Sequence, residues 1–262
     1  MAKVCQLFSG SSGNSIYISC KESKFLVDIG VSAKREELAL KNIGVEPSEI
    51  NAIFVTHEHT DHISGVRVFA SRYNIPVYAH PSVLAYMKAH NKINEKVIVN
   101  PIDNEIELSE TKIVPFLNSH DSVACFGYRF NLSDGRSVGI CTDTGYVTDG
   151  AKKTLNGCDL VFLESNHEIE MLQIGPYTYD LKKRILSKRG HLSNRSCSEY
   201  ACELVKNGTT RLVLAHVSAE NNTPYNAYQT TLSKLTEAGY KENRDFRLSV
   251  SAVENKERPI VL

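Results

Sequence analysis

Short apolar runs rich in β-branched residues recur along the chain, separated by turn-forming residues. They fall at 4–8, 15–20, 25–29, 52–55, 77–79, 96–99, 113–117, 125–132, 138–141, 160–163, 211–215, 247–250 and 259–262. Each predicts a strand, with turns at Ser9-Gly10-Ser11-Ser12-Gly13-Asn14 and Ser133-Asp134-Gly135. Helical spacing is rarer. Ile63, Val66, Phe69, Ala70 and Tyr73 keep the three-four spacing of an amphipathic helix starting after His62, and Cys197, Ala201, Leu204 and Val205 repeat it before Gly208. Thr223-Pro224 reads as an N-cap with proline in the first turn, leading to Leu232, Leu235 and Gly239. Many strands with helices in both halves predict an α/β fold of two facing sheets covered by helices, formed by residues 1–262 as a single domain.

Composition narrows the class. The 262 residues carry 30 basic and 30 acidic side chains, so no global charge attracts a polyanion and any such binding rests on a local patch. With 42% hydrophobic and 23% charged residues the chain can bury a core. No run approaches the ~18 apolar residues of a membrane span, and the first residues lead into a strand pattern rather than a signal peptide. Seven scattered cysteines without a C-x-x-C pair fit a reducing cytoplasm better than a disulfide framework. Nine histidines are the unusual feature.

Three of them lie close together in the chain's densest cluster of ligand-type side chains, and two more stand at the ends of later strands. Thr56-His57-Glu58-His59-Thr60-Asp61-His62 sits between a buried strand and a helix, and imidazole with carboxylate suits Zn²⁺, Mn²⁺ or Fe²⁺. A tight turn there can aim His57 and His59 at one ion and Asp61 and His62 at a second. This H-x-H-x-D-H loop resembles the signature of the metallo-β-lactamase fold superfamily. Asn118-Ser119-His120, Cys141-Thr142-Asp143-Thr144-Gly145 and Leu214-Ala215-His216 follow in the family's order, each at a strand end. The resemblance implies a four-layer αββα sandwich and two divalent ions. It assigns His57, His59, His120 and Asp143 to the first ion, and Asp61, His62, Asp143 and His216 to the second. Singly, the downstream residues also suit a turn, a strand end or a core histidine. Cys141 is expected to pack.

The fold hosts several chemistries, so the branch must come from other residues. Redox members usually carry Glu where His59 stands and need a fused flavin domain, for which the chain has no room. Leu163-Glu164-Ser165-Asn166, Gly190-His191-Leu192-Ser193-Asn194 and His216-Val217-Ser218-Ala219-Glu220-Asn221 resemble the phosphodiesterase and nuclease branch, and within it the YycJ (WalJ) group of bacterial metallo-hydrolases. That group also matches at Ser9–Ser15 and Val27-Asp28-Ile29-Gly30. The implied activity is a cytoplasmic 5′-to-3′ exonuclease on double-stranded DNA, linked to repair, with no organic cofactor and no membrane partner. Hydrolysis of a small cyclic phosphodiester or of an RNA end is the alternative. No nucleic-acid-clamping domain is inserted between Asp143 and His191.

The expected chemistry is attack on phosphorus by a hydroxide held between two cations roughly 3.5–4 Å apart. Asp61, His191 and Glu164 are the expected catalytic residues, with Glu164 orienting His191 to protonate the leaving oxygen. Glu164 also suits a role satisfying backbone groups, and His191 that of a loop residue near a helix N-cap. Ser12 and Asn14 on the glycine-serine loop, together with Ser193, are candidate substrate contacts; the loop also suits a plain hairpin turn. Lys182, Lys183, Arg184, Lys188 and Arg189 suit a solvated helix face or a phosphate-steering rim. His167 is a further candidate for substrate contact, and Asp28 is expected to be structural.

Overall fold

A computed structural model describes residues 1–262. The first sheet takes β1 (Lys3–Phe8), β2 (Ser15–Cys20), β3 (Ser23–Val27), β4 (Ala52–Phe54), β5 (Val77–Ala79) and β6 (Val99–Pro101) in chain order. The second takes β7 (Ile106–Leu108), β8 (Thr111–Leu117), β9 (Phe126–Asn131), β10 (Ser137–Cys141), β11 (Leu160–Glu164), β12 (Arg211–Ala215) and β13 (Arg247–Val250), also in order. β14 (Ile260–Val261) returns to the free edge of β1. Each sheet is half antiparallel, through β1–β3 and β7–β10, and half parallel, through β3–β6 and β10–β13.

Alternation along the strands explains why the parallel ones read as unbroken apolar runs: both faces are covered. Phe25 and Val27 of β3, Ala52 and Phe54 of β4, and Leu160 and Phe162 of β11 point into the layer between the sheets. There Phe54 packs edge-on against Phe130 at 5.3 Å, and the Tyr128 hydroxyl donates across the layer to the Val55 carbonyl at 2.7 Å. The intervening side chains, Leu26, Ile53, Val161 and Leu163, face helices. α1 (Ala33–Asn42), α2 (Thr60–Ile63), α3 (Val66–Tyr73) and α4 (Pro81–Ala89) follow strands of the first sheet. Of these, α1, α3 and α4 cover it through Leu40, Phe69, Val83 and Met87. α5 (Asp149–Leu155), α6 (Ile169–Ile174), α7 (Tyr179–Ile185), α8 (Asn194–Lys206) and α9 (Pro224–Glu237) follow, and α5, α8 and α9 cover the second sheet through Leu155, Leu204 and Leu235. The layers are therefore helix, sheet, sheet, helix, as expected. No helix is long and apolar enough to cross a membrane.

Some boundaries move. The strand expected at 96–99 runs Val99–Pro101, and β7 had no apolar run strong enough to mark it. The single helix expected after His62 is two, interrupted at Ser64-Gly65. Gly65 N–H donates to the Ile29 carbonyl at 2.9 Å, and a Cβ there would lie 2.4 Å from the Val31 carbonyl oxygen. The break seats the histidine loop against the chain leaving β3.

Candidate metal centre

The candidate ligands follow the carboxyl ends of β4, β8, β10 and β12, with Asp28 and Glu164 at the ends of β3 and β11, the rim where parallel sheets place their sites. Three of these strand ends turn sharply. Asp28, Asp143 and His216 are non-glycine residues with φ of 62°, 59° and 54°. Left-handed backbone at such residues is strained, and it persists where surrounding contacts fix it. Here it turns Asp143 and His216 into one cleft, 3.2 Å apart, and sets Asp28 behind the histidine loop.

Asp28 builds the histidine loop from behind. Its Oδ1 accepts from Thr56 N–H and its Oδ2 from the Thr56 hydroxyl, both at 2.8 Å. The same Oδ2 lies 2.7 Å from His62 Nδ1, which leaves Nε2 turned into the cleft. Asn14 fixes the other side. Its backbone N–H donates to the Asp61 carbonyl at 2.8 Å, and its Nδ2 lies 3.1 Å from His62 Nε2. At Gly30 the approach is tighter still, since a Cβ would fall 1.7 Å from the Asp61 carbonyl oxygen.

The seven predicted metal-binding residues come together. Ligand atoms of His57, His59 and His120 lie within 4.8 Å of one another, as do those of Asp61, His62 and His216. Asp143 stands between the two groups. Its Oδ2 is 3.4 Å from His62 Nε2 and its Oδ1 is 4.0 Å from His120 Nε2. Buried polar atoms normally have partners, yet His57 Nε2, His216 Nε2 and Asp143 Oδ2 have none. Unpartnered buried donor atoms converging at this spacing are what a divalent cation satisfies.

Electrostatics agree. Burial, and then the neighbouring histidines, hold His57 well below its usual pKa, keeping it a neutral donor. For His62 burial acts downward, but the carboxylates of Asp143, Asp28 and Asp61 outweigh it and push the pKa up to about 9. His216 is raised by Asp143, Asp61 and Glu164 against the same burial. Asp61 is lowered by His216 and His62, although burial opposes this. A cation held at the His62 and His216 end would take the place of protons on these rings.

Glu164, the last residue of β11, is buried and fully engaged. Oε1 lies 2.8 Å from His191 Nδ1 and 2.8 Å from His216 Nδ1, while Oε2 accepts from Thr144 N–H and Leu192 N–H at 3.0 Å each. It thus orients two histidines, where the sequence pointed to one. His191 is the more open of them, 16% exposed against 4% for His216. Its ring lies 5.0 Å from that of His120 and 5.2 Å from that of His216.

The candidate substrate contacts divide. Ser12 is exposed on the β1–β2 loop. Asn14 is buried beneath the ligands, accepting from Gly10 N–H at 2.9 Å. Ser193 caps α8, accepting from Ser196 N–H at 3.2 Å. His167 is buried, with burial pushing its pKa down to about 4. Cys141 packs against Asn118, Sγ to Oδ1 3.6 Å.

The basic stretch is largely committed to the fold. Lys182 donates to the Gln173 carbonyl, Arg184 pairs with Asp121, and Arg189 donates to the carbonyls of His120 and Ser122. Two supporting residues, Asp28 and Ser9, had no site role in the sequence reading; the Ser9 hydroxyl accepts from His216 N–H at 2.9 Å. The signal for Asp28 was its place at a strand end, Val27-Asp28-Ile29-Gly30, like Asp143.

Known proteins resemble this chain along its length. The beta-lactamase superfamily domain family matches residues 23–217. The chain is 37% identical to "Exodeoxyribonuclease WalJ" of Streptococcus pneumoniae, over 92% of this chain and 91% of that protein. It is 34% identical to "Exodeoxyribonuclease YycJ" of Bacillus anthracis, over 92% of each. The metallo-beta-lactamase fold protein YhfI of Bacillus subtilis superposes with a TM-score of 0.72 at 17% identity, over 97% of this chain and 98% of that one. From its ligand loop, its two-sheet fold and these matches, the chain belongs to the metallo-β-lactamase superfamily.

Proposed function

We propose that the protein is a phosphodiesterase dependent on two divalent cations, digesting double-stranded DNA from the 5′ end, with a place in DNA repair. What carries the reading is the pair of ligand groups sharing Asp143 beside the more open His191–Glu164 pair, in a chain similar over nine-tenths of its length to two exodeoxyribonucleases. His57, His59 and His120 would hold one ion and Asp61, His62 and His216 the other, with Asp143 between. Residues 1–262 act as one catalytic unit, supported by the continuous layer between the sheets. The seven free cysteines suit a reducing cytoplasm.

The chemistry such ions supply when bound is activation of a water and neutralisation of charge on the phosphate oxygens, and Mn²⁺, Zn²⁺ and Fe²⁺ all suit this donor set. Everything else falls to side chains. Asp28 and Glu164 fix the orientation of His62 and His216, so that their free nitrogens face the cleft. Asp61, with a depressed pKa, stays a carboxylate throughout the physiological range. His191, its Nδ1 against Glu164, presents Nε2 to the open side. From there it delivers a proton to the departing sugar oxygen, and Glu164 stabilises the imidazolium form before transfer.

The test pairs two substrates. Progressive release of nucleotides from duplex DNA with added Mn²⁺ supports the DNA reading. Hydrolysis of bis-p-nitrophenyl phosphate without release from DNA favours a small phosphodiester instead.

A further inference from the structure

Asp121 follows His120 directly and has no role in the site described so far. One of its carboxylate oxygens is held by Arg184 from the end of α7. The other, Oδ1, is buried and without a hydrogen-bond partner, 3.3 Å from His120 Nε2. That is the ring nitrogen turned to the His57–His59–His120 group, because Nδ1 is spent on the Gly190 carbonyl at 3.1 Å. Asp143 Oδ1 is farther from the same atom, at 4.0 Å. Two donors bonded to one ion at ~2.1 Å, with an angle between a right angle and the tetrahedral value, lie about 3.0–3.4 Å apart.

The two ends of the site also differ in charge. The His62 and His216 end has Asp61 as well as its share of Asp143, with Asp28 behind it. The His57–His59–His120 end has three imidazoles and only a share of Asp143. A divalent cation there would have only that shared carboxylate for negative charge and oxygen donation, and the next carboxylate is Asp121, 3.3 Å from the His120 member of the group. The loop carrying it is pinned on both sides, Arg189 donating to the His120 carbonyl at 3.1 Å and to the Ser122 carbonyl at 3.4 Å.

We propose that Asp121, braced by Arg184, gives an oxygen donor to the cation at the His57–His59–His120 end and biases that position toward an oxygen-preferring ion such as Mn²⁺ over Zn²⁺. Imidazole alone suits zinc, whereas carboxylate raises the coordination number and favours manganese. The inference rests on the proposed binding of a cation by those three histidines.

The test measures Mn²⁺ and Zn²⁺ affinities by calorimetry, with the Mn²⁺ electron paramagnetic resonance spectrum, for wild type, Asp121→Asn and Arg184→Gln. Arg184→Gln removes the brace but keeps the carboxylate. Asp121→Asn is expected to weaken Mn²⁺ binding at one of the sites about tenfold or more, to weaken Zn²⁺ less, and to change the spectrum. Arg184→Gln is expected to keep the wild-type preference for Mn²⁺. An unchanged ratio of the two affinities in Asp121→Asn overturns the proposal. So does equal loss of both metals in both variants, which would mark Asp121 and Arg184 as a latch for the loop. A wild type that binds neither ion overturns the metal reading itself and is thereby told apart.

Discussion

Asp28 illustrates what one side chain does in this site and why sequence reading passed it by. Its partner His62 lies 34 positions away, and only the fold brings the two to 2.7 Å. The candidate ligands were legible because four of them crowd into His57–His62 and the rest end apolar strands; a supporting carboxylate carries no such spacing. Asp28→Asn should leave the fold intact but weaken metal binding about 10- to 100-fold, read by calorimetry; unchanged affinity would show that Asp28 merely fills space. Glu164→Gln touches two histidines and is expected to lower both metal content and turnover. His191→Ala should keep full metal and lose turnover on DNA by roughly 10²-fold, with a smaller loss on p-nitrophenyl esters, whose leaving group needs no proton. Loss of a metal in His191→Ala would instead make His191 a ligand, since Asp143, Glu164, His191 and His216 also lie within ligand reach of one another.

Elements set these side chains in place through a few close approaches. Gly30, where the chain leaving β3 meets the histidine loop, has no room for a Cβ, so Gly30→Ala should cost more than about 3 kcal/mol, seen as a lower denaturation midpoint together with lost metal. The strands were legible from their apolar runs. The break between α2 and α3 was not, because Ile29 and Val31 impose it from another element. α1 also went unread, and it buries a carboxyl. Glu36 accepts from the Ser15 hydroxyl at 2.7 Å, while its other oxygen has no partner. Burial pushes its pKa from an ordinary 4.5 to about 8. The folded state therefore keeps a proton that the unfolded chain has released. Stability from this group is complete below about pH 4.5, falls as pH rises, and levels off above about pH 8. Glu36→Gln should flatten that part of the stability profile, by about 5 kcal/mol, in denaturant titrations across this range. A profile with the wild-type slope would contradict the assignment.

At the scale of the whole molecule, a chain of 30 basic and 30 acidic side chains must bind a polyanion locally or weakly. Three of the five cations before His191 are tied into the fold by hydrogen bonds, leaving the side chains of Lys183 and Lys188 without a hydrogen-bond partner in the protein. Two phosphate contacts predict only about a tenfold loss of DNA affinity between 50 and 200 mM salt, measured with a catalytically silent variant. A much steeper slope would require a larger basic surface than this rim. The layered fold and its rim of ligands follow from strand order, whereas the commitments of the basic stretch could not be read without knowing which carbonyls it meets. The central claim is metal-dependent cleavage of DNA by this ligand cluster. The most direct measurement follows 5′-labelled duplex DNA with Mn²⁺, comparing wild type with Asp61→Asn at equal folding by circular dichroism. Progressive release of label by wild type, stopped by a chelator and reduced at least about 10³-fold in Asp61→Asn, is the expected result; digestion by Asp61→Asn at the wild-type rate would contradict it.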